Sequence, residues 1–285
     1  MTSKNYLNLL KWGVWLSPLV LLMVFPPLLF PYITSKQLIF NILIEALLPF
    51  WLLLVINYPV YRPRKSWITY GLLAYFFVLL LSCFSGVDFN LSFFGNAERM
   101  LGWFHLFHFF LFYLIIITVW REKADWLRFF DIALGVTVII VLYGIKQNYP
   151  ASFLGNAAYT AALMLFSLGW SIYQIRQRFI QYGGFKSFSQ HYTWLYFVAA
   201  FFSLYGLFQA NISGAYVGLA AGIIGALFLW SWLSPRKRDR YLGIIVITFL
   251  VIMVGFLFLN RQASWLRDSR VGVVLKDFSA ANPTW

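Results

Sequence analysis

The chain has 285 residues, 61% of them apolar, 21% aromatic and only 11% charged, with a net charge of +13. That much apolar surface exceeds what a soluble core absorbs, so a water-soluble globular fold is excluded and a bilayer is the natural solvent. A lone cysteine, Cys83, excludes a disulfide framework or thiolate metal site within the chain, and its place in an apolar run reads as packing.

A membrane-spanning helix takes roughly 20 mostly apolar residues. In chain order such stretches fall near 12–33, 37–58, 67–84, 101–120, 129–149, 157–175, 192–210, 215–233 and 241–259, about nine in all. The first follows a polar start from Met1 to Lys11, is too long for a signal h-region and lacks a small-x-small cleavage site, so it reads as a retained helix. Pro26-Pro27 within it predicts a kink. The expectation is an all-α, polytopic transmembrane helical bundle, with residues 1–259 as one helical domain and no internal repeat.

Charge placement orients that bundle. Alternating the connections between two faces puts fifteen Lys and Arg on one, from Lys4, Lys11 and Arg62 through Arg176 and Arg178 to Arg240. The other face receives seven: Lys36, Arg99, Lys146, Arg261, Arg267, Arg270 and Lys276. The positive-inside rule then predicts a cytoplasmic N-terminus and an extracytoplasmic C-terminus. This placement accounts for most of the basic excess through the membrane, without nucleic acid.

Candidate chemistry gathers on the charge-poor face. The connection Gly86 to Gly102, GVDFNLSFFGNAERMLG, carries Asp88, Asn96, Glu98 and Arg99 just before the fourth span. An arginine there either anchors to lipid phosphate or holds a substrate phosphate by bidentate hydrogen bonds. Leu154 to Tyr159, LGNAAY, opens the sixth span; its Gly-Asn is a helix-capping signal, and a helix start on that face can also hold an anion. His105 and His108, three apart on the fourth span, read as hydrogen-bonding partners between helices, since a third metal ligand is not visible. Glu45 lies inside the second span and must face the bundle interior or a water-filled cavity, as a structural partner or a substrate contact. Residues 260–285 read as the start of an extracytoplasmic loop, truncated at Asn282-Pro283-Thr284-Trp285, with a natural tail as the alternative.

Taken in order, SFFGNAERMLGWF, the outer loop with Gln147, LGNAAYTAALML and SGAYVGLAAGIIGALFLW resemble the O-antigen ligase and O-antigen polymerase superfamily of bacterial membrane glycosyltransferases, over about Ser92 to Trp285. The resemblance implies a GT-C-like fold in the bacterial inner membrane. It also implies metal-independent transfer of a glycan from an undecaprenyl-diphosphate carrier to an acceptor glycan or lipid hydroxyl, with no cofactor. Glu98 and Arg99 match the family's Gly-Asn-x-Glu-Arg element, and Asn156 and Tyr159 its Gly-Asn-x-x-Tyr element. Relatives carry Ser-Arg-Gly-Ala where this chain has Ile212-Ser213-Gly214-Ala215, so Ser213 stands in the arginine's place, and either Arg267 or Arg270 takes over the diphosphate or the chain is impaired. The family's general-base histidine is expected beyond Trp285. A transporter or flippase of lipid-linked glycan, and a non-catalytic membrane scaffold, are the competing readings.

Overall fold

The computed structural model describes residues 2–183, 192–260 and 263. Every regular element among them is helical. They group into two compact units, Met1–Gly206 and Leu207–Trp285. The first contains α1 (Ser3–Leu16), α2 (Pro31–Asn57), α3 (Trp67–Ser85), α4 (Phe89–Phe94), α5 (Trp103–Val119), α6 (Lys123–Gln147), α7 (Ala157–Tyr182) and most of α8 (Thr193–Ala210). The second holds the last turn of α8, then α9 (Ser213–Leu233) and α10 (Lys237–Leu259).

Six of these helices are long and apolar enough to cross a membrane: α2, α3, α6, α8, α9 and α10. The chain is therefore a multi-pass membrane protein. Exposed side chains agree: on α3, Leu73, Phe77, Leu81 and Phe84 face outward, while Phe76 and Cys83 alone are buried. Such an apolar exterior is a liability in water and the ordinary surface in lipid. Two other expected spans are helical but are not among the six. At 17 residues α5 is apolar but short, and α7 continues past 175 to Tyr182.

The first expected span differs most. Helix begins at Ser3 rather than near Trp12, passes into a 3-10 turn at Ser17–Leu22, and stops there; Pro26-Pro27 lie in a non-helical stretch instead of kinking a helix. Pro18, Pro26, Pro27 and Pro31 remove four amide donors within fourteen positions, more than one continuous helix can lose.

Local signals set the other boundaries. Ser66 accepts from the Ile68 amide at 3.2 Å, Asp88 from Leu91 at 3.0 Å and Asn156 from Ala158 at 2.8 Å, each opening a helix. Glu122 and Asp125 form a capping box on α6, whose end is turned by Asn148 in the left-handed region. Leu10, Val14, Ile44, Leu47, Leu54 and Ile115 form the core where α1, α2 and α5 meet. Gly13 permits the closest approach there: a Cβ would stand 2.5 Å from Leu47 Cδ2. Polar side chains also join helices, as expected in lipid. Trp51 Nε1 donates to Thr118 Oγ1 at 3.0 Å, and the Thr137 and Ser167 hydroxyls bond at 2.7 Å.

Contacts define two ends of the first unit. At the basic end Lys11 Nζ pairs with Asp125 Oδ1 at 2.8 Å, Arg128 lies over the Trp15 ring, and Arg121 Nη2 donates to Val60 O at 2.8 Å. At the loop end the start of α2 meets the 95–102 and 149–156 connections. The expected loop 260–285 lies outside the described residues except for Asn260 and Ala263.

Candidate functional site

The 95–102 connection is pinched shut by its glycines. Gly95 adopts φ 82° and ψ 177°, a conformation essentially reserved for glycine. A Cβ on Gly95 would stand 2.6 Å from the amide nitrogens of Leu101 and Gly102, so the two ends of the loop touch backbone to backbone. Inside it Asn96 Oδ1 accepts from the Arg99 amide and Asn96 O from the Met100 amide, both at 2.8 Å. This self-capped turn fixes the direction in which Glu98 and Arg99 leave the loop.

Both predicted motifs dock on the same stretch of α2. Thr34 Oγ1 donates to Ala97 O at 3.3 Å, and Gln37 Nε2 donates to Arg99 O. Gly155, at φ 70°, sits so close to the Tyr32 ring that a Cβ would lie 2.6 Å from Tyr32 Cγ. Lys36 stands between these contacts, its Nζ donating to Tyr32 O at 2.7 Å and Met23 O at 3.2 Å. Tyr32, Lys36 and Gln37 are the residues that sequence reasoning missed. The available signal was Lys36 itself, one of only seven basic residues assigned to the charge-poor face.

Arg99 is open to ligand. Its side chain is 59% exposed and its Nε lies 3.9 Å from Glu98 Oε1, a surface pairing worth little, while its terminal nitrogens meet no described protein group. Asn156 caps α7 and is exposed, as is Tyr159 one turn on. Thus Glu98, Arg99, Asn156 and Tyr159 gather at one end of one unit. Ser213 begins α9 in the second unit, and Arg267 and Arg270 lie outside the described residues.

Below this end, the histidines of α5 meet α2. His105 Nδ1 is 2.8 Å from Asn41 Oδ1, and His108 Nε2 is 3.1 Å from Glu45 Oε1. The three-residue spacing on α5 therefore engages a four-residue spacing on α2, and the histidines tie helices together as expected. His108 Nδ1 lies 2.7 Å from the Phe104 carbonyl, which only accepts, so Nδ1 carries a hydrogen. Glu45→Gln keeps a donor toward Nε2 and should leave stability nearly unchanged. Glu45→Leu leaves the buried ring nitrogen unpaired and should cost about 1–3 kcal/mol; thermal unfolding in detergent separates the two. Among the described residues no three His, Cys, Asp or Glu side chains gather as a metal-binding group.

A second polar group lies toward the basic end. Gln174 Nε2 and Tyr196 OH donate to Asp131 Oδ1 at 2.6 and 2.9 Å, and Arg178 Nη2 donates to Tyr196 OH at 3.2 Å. These bonds join α6, α7 and α8 beside a cavity of about 600 Å³. Asp131 lies two turns inside α6, a second acidic residue within a span besides Glu45.

Three comparisons bear on kinship: no family model, no curated protein and no solved structure matches this chain.

Proposed function

We propose that the chain serves the transfer of a glycan from an undecaprenyl-diphosphate carrier to an acceptor hydroxyl at the loop end of the bundle, in cell-surface polysaccharide assembly in the bacterial inner membrane. One observation carries the reading: the Gly-Asn-x-Glu-Arg and Gly-Asn-x-x-Tyr segments, 56 positions apart in sequence from Arg99 to Gly155, both rest on Tyr32–Gln37 of α2. Arg99 offers the two terminal nitrogens of a planar fork, the geometry that binds phosphate oxygens in pairs. Asn156 and Tyr159 supply neutral polar contacts suited to sugar hydroxyls. A fixed cation beside a departing diphosphate stabilises its developing charge without a metal ion.

The test is binding of an undecaprenyl-diphosphate-linked oligosaccharide to the full chain in nanodiscs, followed by its transfer to a hydroxyl acceptor. Arg99→Ala should weaken binding roughly tenfold or more, because a hydrogen bond to a charged group contributes about 1.5–3 kcal/mol. Arg62→Ala, at the basic end, should not. Equal affinity for wild type and Arg99→Ala would remove this reading. The contact between Glu45 and His108 inside a span favours a second reading, proton-coupled transport of the lipid-linked glycan. Vesicle translocation that is lost in Glu45→Gln would select it.

A further inference from the structure

We propose that the cavity between α6 and α8 toward the basic end binds a phospholipid whose headgroup carries a phosphate and a primary ammonium, the phosphate on Arg178 and the ammonium on Asp131. The two helices meet closely at Gly206, where a Cβ would stand 2.9 Å from both Val141 Cγ2 and Met164 Sδ. Nearer the basic end they part, and at Gly135 a Cβ would meet nothing within 4 Å. The space left there measures about 600 Å³. At ~30 Å³ per water-sized unit in a liquid, it takes roughly twenty non-hydrogen atoms, enough for a headgroup, its glycerol and the first acyl carbons.

Helical spacing turns the polar groups toward this space. Asp131, Leu134, Gly135 and Val138 fall at i, i+3, i+4 and i+7, one face of α6, and all four line the cavity. Tyr192, Leu195, Tyr196 and Ala199 repeat that spacing on the facing wall, and Arg178 joins them from one turn before the end of α7. Asp131 is exposed and Arg178 half-buried, so an occupant reaches both. Tyr196 holds the two charges apart, its OH donating to Asp131 Oδ1 at 2.9 Å and accepting from Arg178 Nη2 at 3.2 Å. Gln174, buried behind them, donates to the same Oδ1 at 2.6 Å. Both bonds thus fall on one carboxylate oxygen, and a guanidinium carries further N–H donors beyond the one given to Tyr196.

A fixed acid and a fixed base on one cavity match a ligand with one charge of each sign, each placed against its complement. An anionic headgroup without an ammonium would set its charge against Asp131, and a trimethylated ammonium has no N–H to donate there. Tyr192 adds a phenol, which donates to a phosphate as Arg178 does. Leu134, Val138, Leu195, Val198 and Ala199 make the remaining wall carbon, which suits an acyl chain rather than a free soluble zwitterion. The site uses neither Arg99 nor Asn156, so it stands independently of the glycan reading.

The experiment titrates the full chain in detergent with phosphatidylethanolamine, phosphatidylglycerol or phosphatidylcholine and follows retained lipid by native mass spectrometry. Phosphatidylethanolamine is expected to bind about tenfold more tightly than either of the others, the effect of one hydrogen bond to a charged group. Asp131→Asn keeps an oxygen for Gln174 and Tyr196 but removes the charge, and should erase that preference. Gly135→Trp sets an indole in the cavity one turn from Asp131, leaves the polar cluster in place and should abolish the tight binding. Should one variant fail to fold, the other decides. Equal binding of the three lipids by the wild type, or a preference unchanged in a folded variant, would overturn the proposal. Glycerophosphoethanolamine, the same headgroup without acyl chains, should not compete at equal concentration; competition as strong as the lipid's would overturn the assignment to a lipid.

Discussion

Gly102→Ala is expected to spring open the 95–102 loop, removing roughly 3 kcal/mol of stability and, with it, recognition of the carrier diphosphate at that end. A Cβ on Gly102 would collide with Gly95 N, Phe93 O and Phe94 C, all of them backbone atoms with no rotamer into which to retreat. The loop must therefore separate its two ends, and the Gln37 to Arg99 and Thr34 to Ala97 bonds are lost with the shift. Gly95→Ala should be at least as damaging, because φ 82° with ψ 177° adds backbone strain to the same collision. Gly71→Ala is the control: nothing lies within 4 Å of its Cβ position, and alanine favours the helix. Melting in detergent and carrier binding are measured on all three. A Gly102→Ala protein with native melting and native binding would show that this close approach does not set the loop.

Lys11→Met should be the most destabilising single change at the basic end, by about 3–5 kcal/mol. The Asp125 side chain is only 3% exposed, with Lys11 Nζ 2.8 Å from Oδ1 and 2.9 Å from Oδ2. Removing the amine leaves a carboxylate in a site walled by Trp15, whose Nε1 already donates to Asp125 O at 3.0 Å. Lys11→Met combined with Asp125→Leu removes both charges and should regain part of the loss. Recovery will be incomplete, since Asp125 also accepts from the Glu122 amide at 3.4 Å in the capping box of α6. Chemical or thermal unfolding of the three variants measures the coupling. A single variant as stable as wild type would show that the pair does not hold α1 to α6.

Much of this architecture is legible in the sequence because hydropathy reports what solvent a segment needs. The apolar runs match α3, α8, α9 and α10 within four residues, while α2 starts six residues before its run. Hydropathy does not report where backbone hydrogen bonds are made, so the apolar run 12–33 concealed a break at its prolines. It also concealed a helix that begins nine residues earlier, in a segment whose half-buried Lys11 finds its partner, Asp125, 114 positions away. The same limit governs the site. Asn96, Glu98, Arg99 and Asn156 are visible because turn and cap chemistry is local. Tyr32 and Gln37 look like ordinary residues of a span until tertiary approach places two loops upon them. The spacing of His105 and His108 showed a shared face, but identifying Asn41 and Glu45 opposite required knowing which helix lies alongside.

The turn between α9 and α10 is tied by bonds between its own residues. Ser231 Oγ donates to Arg240 O at 2.9 Å, Arg240 Nε returns to Ser234 O at 2.8 Å, and Gly243 admits the Ser231 hydroxyl where a Cβ would stand 2.7 Å from it. Two long apolar helices joined in this way need no earlier helix as a template for pairing. As the nascent chain leaves the insertion machinery, they can pass sideways into lipid as one hairpin, with the positive-inside rule expecting the Arg236-Lys237-Arg238 tip to stay on the side of synthesis. The order of assembly need not follow the order of translation: this pair can be complete before the preceding helices have settled.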